Sequence, residues 1–253
     1  MKRKEFGLMK KRLFVMLGII GLIGLMPAPI SLGQTASVQT PMSIGEFIAR
    51  TVTTRTKEND EIKKEKLRYK RVYTVDNLND NEQVVDREKE EVVVIEPGGN
   101  ERMIEKNGKP VNKGKSSRPK IELIKVLEAM LKLDEFNIAG IETLDNRPHY
   151  VISFKPKSGQ RTGSGDVEEI IVRSEGVMYV DIEKFYIKRI SAWITRPYSR
   201  AWGIFSLTRA NLDMTQEEFG DIVVMKSIVL TDRYSLLFGS TFEKQTFLYK
   251  DYQ

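Results

Sequence analysis

The sequence GVMYVDIEKFYIKRISAWIT, residues 176–195, decides the expected fold. Its β-branched and aromatic residues alternate with a period of two, which is typical of half-buried antiparallel strands. We expect a first strand over Val177–Ile182, a tight turn at Glu183 and Lys184, and a returning strand over Phe185–Ile194.

Both faces of the returning strand carry apolar residues. Alternation assigns one face to Phe185, Ile187, Arg189, Ser191 and Trp193, and the other to Tyr186, Lys188, Ile190, Ala192 and Ile194. Two interpretations stand at this point. Either protein covers the strand on both sides, or the sheet is curved and one of its faces lines a cavity.

Strand-like segments at hairpin spacing dominate the rest of the chain from about Leu67 to Tyr249. Helical spacing of apolar residues predicts helices over Ile44 to about Lys57 and from Pro119 or Lys120 to Leu133, and a short one over 167–174. A parallel βαβ architecture needs regular alternation of strands and helices, which is absent. The sequence therefore predicts an α+β fold with one large curved antiparallel sheet and two or three helices on its concave face.

The N-terminus has the features of a secretory signal. A basic stretch, Lys2 to Arg12, precedes the apolar run Leu13–Leu25, and small residues around Gly33 offer a cleavage site. We expect residues 1–33 to be a signal peptide, 34–41 a polar tether and 42–253 the folded domain; the alternative is an uncleaved anchor. In either case the domain is expected to be exported, in the periplasm or at the outer membrane.

Composition excludes several classes of function. The chain of 253 residues has no cysteine, which removes disulfides, thiolate nucleophiles and cysteine-based metal sites. Its net charge is +6, but residues 1–33 hold six basic residues and one acidic residue, so the rest has a net charge of only +1. A nucleic-acid-binding domain would keep its basic excess, so we expect no nucleic-acid partner.

No catalytic or metal-binding motif stands out. His149 is the only histidine, and its place beside Pro148 at a strand start favours a turn or surface residue over a catalytic one. We expect a non-enzymatic protein with no cofactor and no metal. A carboxylate hydrolase would require a cluster of buried acids in a cleft, and the spacing of the acidic residues gives none.

The central hairpin resembles that of the LolA-like family, the periplasmic lipoprotein carriers and outer-membrane lipoprotein-sorting proteins. The resemblance is carried by Gly176, Met178, Val180, Asp181, Phe185, Ile187, Arg189 and Ile190. In the order of its elements it extends over about residues 42–253. It implies a half-open antiparallel barrel with an apolar cavity for lipid or lipoprotein acyl chains, and a lid formed by Ile44–Thr56 and Ile121–Leu133.

The resulting hypothesis is an envelope protein that binds acyl chains in an apolar cavity and acts in carriage or sorting. The residues expected to line the cavity are hydrophobic and could equally be core; they are Phe47, Ile48, Val52, Leu127, Met130, Leu131, Tyr179, Phe185, Ile187, Trp193, Trp202 and Phe205. The alternative is an envelope sensor or assembly factor in which the same scaffold binds a membrane protein. Its contacts would be the segment Arg196–Trp202 and the loop 112–119.

Overall fold

The computed structural model describes residues 42–111, 122–160, 165–200, 204–236 and 239–253. The expected signal peptide, the tether, the loop 112–119 and Trp202 lie outside these residues. The described helices are α1 (Ile44–Lys66), α2 (Leu123–Leu133) and α3 (Asp166–Ile171). The strands are β1 (Tyr69–Leu78), β2 (Val84–Ile95), β3 (Glu101–Lys106), β4 (Lys109–Pro110), β5 (Asp134–Leu144), β6 (Arg147–Pro156), β7 (Ser174–Asp181), β8 (Ile187–Ile194), β9 (Tyr198–Arg200), β10 (Phe205–Phe219), β11 (Ile222–Leu236) and β12 (Gly239–Lys250).

The strands form one antiparallel sheet in the order β4-β3-β2-β1-β12-β11-β10-β8-β7-β6-β5, with β9 paired to β10. The sheet does not close, because β4 and β5 are its two edges. Most neighbours in the sheet follow one another along the chain, and the pairing of β1 with β12 joins the N-terminal strands to the C-terminal ones. This architecture confirms the predicted α+β fold with an open antiparallel barrel and helices.

Helix α1 crosses one face of the sheet and is fixed at both ends. At its start, a Cβ built on Gly45 would lie only 2.4 Å from the backbone oxygen of Phe136 in β5, so the absence of a side chain lets helix and strand touch. Ser43 caps the helix by accepting a hydrogen bond from the Glu46 amide at 3.1 Å. At its end, the Gly98 amide in the β2–β3 turn donates to the Lys64 carbonyl at 2.7 Å.

Helix α1 continues to Lys66, past the predicted end near Lys57. Its last turns, KENDEIKKEK, carry little apolar periodicity, which is why the pattern alone stopped short. Ion pairs along the helix surface join Arg55 to Glu58 and Lys63 to Asp60, and such pairs stabilise a helix modestly. Three lysines in the last turn also complement the helix dipole.

The central hairpin is confirmed, but its turn is longer than predicted and its second strand is bulged. The loop spans residues 182–186, where the Asp181 carboxylate accepts hydrogen bonds from the amides of Glu183 and Lys184 at 3.0 and 2.8 Å. The register shifts where Tyr179 pairs with Arg189 and Val180 pairs with Ile187, so Lys188 is left between them. The predicted alternation therefore fails at Lys188.

A further correction concerns the C-terminal strands. The sequence IVVMKSIVLTDRYSLLFG predicts two strands, over 222–231 and 233–239, divided at the charged pair. Strand β11 instead runs unbroken from Ile222 to Leu236. The charged pair Asp232 and Arg233 looked like a break in the sequence. Both residues instead keep their strand pairing, Asp232 with Glu243 and Arg233 with Phe242.

Candidate functional site

One row of side chains crosses the concave face, and it is the feature from which the candidate site is built. Each member pairs directly with the next one on the neighbouring strand of the sheet, so all members share one face. From β5 to β1 they are Ile138, Ile152, Met178, Ile190, Met214, Ile228, Phe247 and Tyr73. This apolar row crosses eight strands, a path of about 34 Å at a strand spacing of about 4.8 Å.

The helices cover this row. Ile48 and Val52 of α1 and Leu127 and Met130 of α2 belong to the same buried cluster as the row members from Ile152 to Tyr73. Helix α1 packs on β5 and β11, which are separated in the sheet by β10, β8, β7 and β6, and α2 packs on α1, α3 and β5. The concave face is therefore a filled core, with helices rather than a second sheet on top.

Methionine is prominent at this helix–sheet contact. Met178 and Met214 lie in the row, Met130 lies in α2, and Met225 lies in β11; all four are buried in the same cluster. Methionine has an unbranched, flexible side chain and adapts to irregular apolar partners. This core is thus better suited to repacking than one built from β-branched residues alone.

Several residues predicted to line the cavity lie at this contact. Ile48, Val52, Leu127, Met130 and Ile187 are buried in the cluster. Leu131 and Phe185 are partly buried against its margin. Ile187 reaches the concave face because of the bulge at Lys188.

The other predicted residues lie elsewhere. Phe47 is on the solvent side of α1 and is 57% exposed. Trp193 is exposed on the opposite face of the sheet, where its indole Nε1 donates to the Glu175 carboxylate at 3.0 Å. Tyr179 pairs with Arg189 on that same outer face. Phe205 is the first residue of β10, and its ring centroid lies 6.1 Å from that of Tyr234.

Sequence reasoning missed a buried polar cluster that borders the row on β1, β11 and β12. The Tyr73 hydroxyl donates to the Gln245 side-chain oxygen at 2.9 Å, and the Gln245 amide donates to Glu243 at 2.9 Å and to Asp232 at 3.4 Å. Asp232 and Glu243 face each other across β11 and β12. Burial and the neighbouring Glu243 carboxylate raise the pKa of Asp232 well above its usual range.

This cluster brings buried acids together, which the spacing of acidic residues did not predict. Period-two alternation in TFEKQTFLY was the available signal, since it places Glu243, Gln245 and Phe247 on one face. The sequence of β2 also carries a charge run, Asp86–Glu91, which predicts a solvated strand face, but the run is only partly exposed. Glu91 is buried beside Tyr73 in the next position of the row and pairs with Lys89 at 2.9 Å.

His149 is buried and 1% exposed, so the expectation of a turn or surface histidine is wrong. Its Nδ1 lies 2.8 Å from the Arg147 carbonyl oxygen, which requires an N–H at Nδ1. Its Nε2 has no hydrogen-bond partner and lies 4.0 Å from Asp181. The ring is held under a surface network in which Arg147 pairs with both Asp181 and Glu218.

Two shallow clefts lie away from the apolar row. A cleft of about 320 Å³ is lined by Arg68, Tyr69, Lys70, Val94, Asp251 and Gln253. A cleft of about 150 Å³ is lined by Leu144, Asp145, Arg147, His149, Tyr186, Lys188 and Glu218. In the latter, Lys184 and Arg147 lower the pKa of the Glu218 carboxyl to about 2, so its ion pairs persist at acidic pH.

Among the residues that the structure describes, no helix has both the length and the apolar character needed to span a bilayer. In the same residues, no group of three or more acidic or histidine side chains is arranged to hold a metal ion.

No family model matches the chain, and no curated protein matches it. Solved structures similar to it include a DUF1329 family protein from Desulfovibrio piger, at 10% identity and a TM-score of 0.32, over 81% of this chain and 92% of that one. A LolA superfamily protein from Nitrosomonas europaea matches at 10% identity and a TM-score of 0.33, over 80% and 92%. A putative outer membrane lipoprotein-sorting protein domain from Vibrio parahaemolyticus matches at 8% identity and a TM-score of 0.33, over 81% and 92%.

The last two structures carry names of the family that the central hairpin resembles. Identities of 8–10% and TM-scores of 0.32–0.33 are too low to assign a family or a function to this chain.

Proposed function

We propose that the protein is a non-enzymatic cell-envelope protein that binds the acyl chains of lipids or lipoproteins on its concave face, in a carrier or sorting role. The observation that carries the proposal is the apolar row with its helical cover. In this account α1 and α2 form a lid, and an acyl chain takes their place along the row.

The energies of such an exchange are of similar size. Exposing Ile48, Val52, Leu127 and Met130 would cost about 6–12 kcal/mol at ~1.5–3 kcal/mol for each side chain. Burying a 16-carbon chain would contribute about 12 kcal/mol of favourable free energy at ~0.8 kcal/mol for each methylene. The entropic cost of binding reduces this contribution. A carrier needs the cost of opening the helices and the gain from burying the acyl chain to be nearly equal, because it must both load and release its ligand.

The experiment is fluorescent fatty-acid uptake by residues 34–253, comparing wild type with Met130→Trp. The larger side chain on the buried face of α2 should reduce uptake at least several-fold, while circular dichroism reports an intact sheet. A matched control is Lys125→Trp, at an exposed position of the same helix. Equal uptake by all three proteins would remove α2 from the lid.

A second candidate function is supported by the filled concave face. With the row buried under the helices, the scaffold can act as a rigid module that binds an envelope protein partner instead of lipid. Hydrogen exchange in α1 and α2 identifies conditions in which these helices open. If wild-type protein takes up no fatty acid under those conditions, the result would favour this second function.

A further inference from the structure

Helix α2 passes into β5 without a linker, because Leu133 is the last residue of the helix and Asp134 is the first of the strand. Asp134 also caps the helix, since its backbone amide donates to the Met130 carbonyl. Leu127, Met130 and Leu133 bury the inner face of the helix. Movement of the last turn of α2 away from the sheet therefore requires a change of backbone direction at the junction of Leu133 and Asp134.

The side chain of Asp134 is buried at this junction. It is only 2% exposed, and among the described residues its Oδ1 has no hydrogen-bond partner. Burial raises the pKa of the Asp134 carboxyl to about 7, and Lys157 acts in the opposite direction. A buried carboxylic acid is tolerated while it is neutral, whereas its ionised form lacks the hydration that it would have in water.

Lys157, which follows β6, holds the end of α2. Its Nζ donates to the carbonyls of Leu131 and Lys132 at 3.3 and 2.9 Å, and its backbone amide donates to the Leu133 carbonyl at 2.9 Å. A cation in this position satisfies carbonyls that a helix end leaves without intrahelical partners. The same ammonium group attracts the ionised carboxyl of Asp134. Ionised Asp134 therefore competes with the helix carbonyls for Lys157.

The elements packed around the junction carry further charged side chains, and these form ion pairs with one another. The pairs are Lys132 of α2 with Glu168 of α3 at 3.5 Å, Glu135 of β5 with Lys155 of β6 at 3.1 Å, and Glu46 with Arg50 of α1 at 2.8 Å. The only histidine, His149, lies at the other end of β6 in the cleft with Glu218. Ordinary carboxylates and ammonium groups do not change charge near neutral pH, which leaves Asp134 as the group that does so here.

We propose that Asp134 is a proton-controlled latch for α2. While it is protonated, Asp134 stays buried and leaves Lys157 on the carbonyls of the helix. When it is ionised, Asp134 draws Lys157 away from those carbonyls and moves toward solvent, which releases the last turn of α2 from the sheet. This release is a property of the protein alone. That the released helix admits an acyl chain rests on the function proposed above.

The proton sets the direction and the size of the effect. An aspartate in water has a pKa of about 3.9, so near neutral pH the released state gives up a proton that the closed state holds. Higher pH therefore favours release. Since the pKa of Asp134 in the closed state is about 7, the ratio of released to closed helix should rise about tenfold from pH 6 to pH 8.

The test is hydrogen exchange of the α2 amides in residues 34–253, which contain every described helix and strand, with rates corrected for the intrinsic effect of pH. We expect the protection of the last turn to fall about tenfold between pH 6 and pH 8 in wild type. Asp134→Asn keeps the shape of the side chain but cannot ionise, so it should show no such fall. The matched control is Glu135→Gln, which removes the neighbouring carboxyl on the outer face and should respond to pH as wild type does.

Equal protection of wild type at the two pH values would overturn the proposal, as would a fall that persists in Asp134→Asn. The carbon-13 shift of the Asp134 carboxyl in wild type is a measure that needs no variant. It should change between pH 6 and pH 8, and an Asp134 already ionised at pH 5 would refute the latch.

Fatty-acid uptake at the same two pH values separates the latch from the proposed function. Faster uptake at pH 8 would support both. Release of α2 at pH 8 with no uptake at either pH would support the latch and contradict acyl-chain binding.

Discussion

Ile187 and Ile190 lie three residues apart in β8, yet both are buried on the concave face of the sheet. The bulge at Lys188 adds the residue that brings them to the same side. Ile190 pairs with Met178 and Met214 in the apolar row, and Ile187 pairs with Val180 beside it. The bulge therefore adds a second apolar residue to the surface that α1 and α2 cover.

This arrangement predicts that substitutions on the concave face of β8 destabilise the protein more than a substitution on its outer face. Ile187→Ala and Ile190→Ala should each lower the free energy of unfolding by about 2–5 kcal/mol, because each leaves a cavity in the core. Trp193→Ala should cost much less, since its ring is exposed on the outer face. Urea denaturation of the three variants measures the difference, and a Trp193 variant less stable than both isoleucine variants would contradict the assigned faces.

Gly176 allows β7, β8 and β6 to pack closely. A Cβ at this position would lie 2.3 Å from the Ser191 carbonyl oxygen and 2.6 Å from the Phe154 ring. Gly176→Ala should therefore destabilise the protein by about 1–3 kcal/mol through overpacking. Gly140→Ala is the control, because a Cβ there meets nothing within 4 Å; equal melting temperatures for the two variants would refute the close packing.

Gly45→Ala tests whether α1 acts as a lid. The added methyl group would press on the Phe136 backbone and move the start of the helix away from β5. If α1 is a lid, fluorescent fatty-acid uptake should become several-fold faster, and hydrogen exchange in the first turns of α1 should increase. Thr54→Ala, at an exposed position of the same helix, should leave both unchanged. Faster exchange with unchanged uptake would separate α1 from lipid binding.

Asp134 makes stability depend on pH. It is buried where α2 meets β5, its Oδ1 has no hydrogen-bond partner, and burial raises its pKa to about 7, opposed by Lys157. Between about pH 4 and pH 7 the folded state holds a proton that the unfolded state releases, so the free energy of unfolding should fall as pH rises through this window.

Asp134→Asn should remove this dependence. As pH rises from 4 to 8, the free energy of unfolding of the variant should increase relative to that of wild type. The increase should be at most about 4 kcal/mol, which corresponds to a shift of about three pKa units. Chemical denaturation at pH 4, 6 and 8 measures the gap. A constant gap across these values would show that Asp134 titrates normally in the folded protein.

The sequence predicted the fold class because alternation and turn residues are local signals. The hairpin around residues 176–195 and the strands beside it have the periods that local physics imposes. Ile48, Val52, Leu127 and Met130 were likewise predictable, since they lie on the apolar faces of amphipathic helices.

The features that the sequence did not predict depend on contacts between residues far apart in the chain. In β8 the register shifts at Lys188, and in β5 it shifts at Ala139, between the pairs Ile138–Ile152 and Gly140–Val151. Both bulges change which face a side chain occupies, and alternation alone cannot place them. Burial of His149 comes from a network of Arg147, Asp181 and Glu218 that only the sheet order brings together. The contact of Asp232 with Glu243 follows from the register of β11 on β12, which no short stretch of sequence specifies.

Native mass spectrometry can show whether the concave face exchanges its helical cover for an acyl chain, as we propose. The sample is residues 34–253 expressed into a bacterial periplasm and purified without detergent. We expect adducts in the mass range of fatty acids or phospholipids that organic solvent extracts. A clean mass of the protein alone, together with no uptake of a fluorescent fatty acid, would refute the exchange.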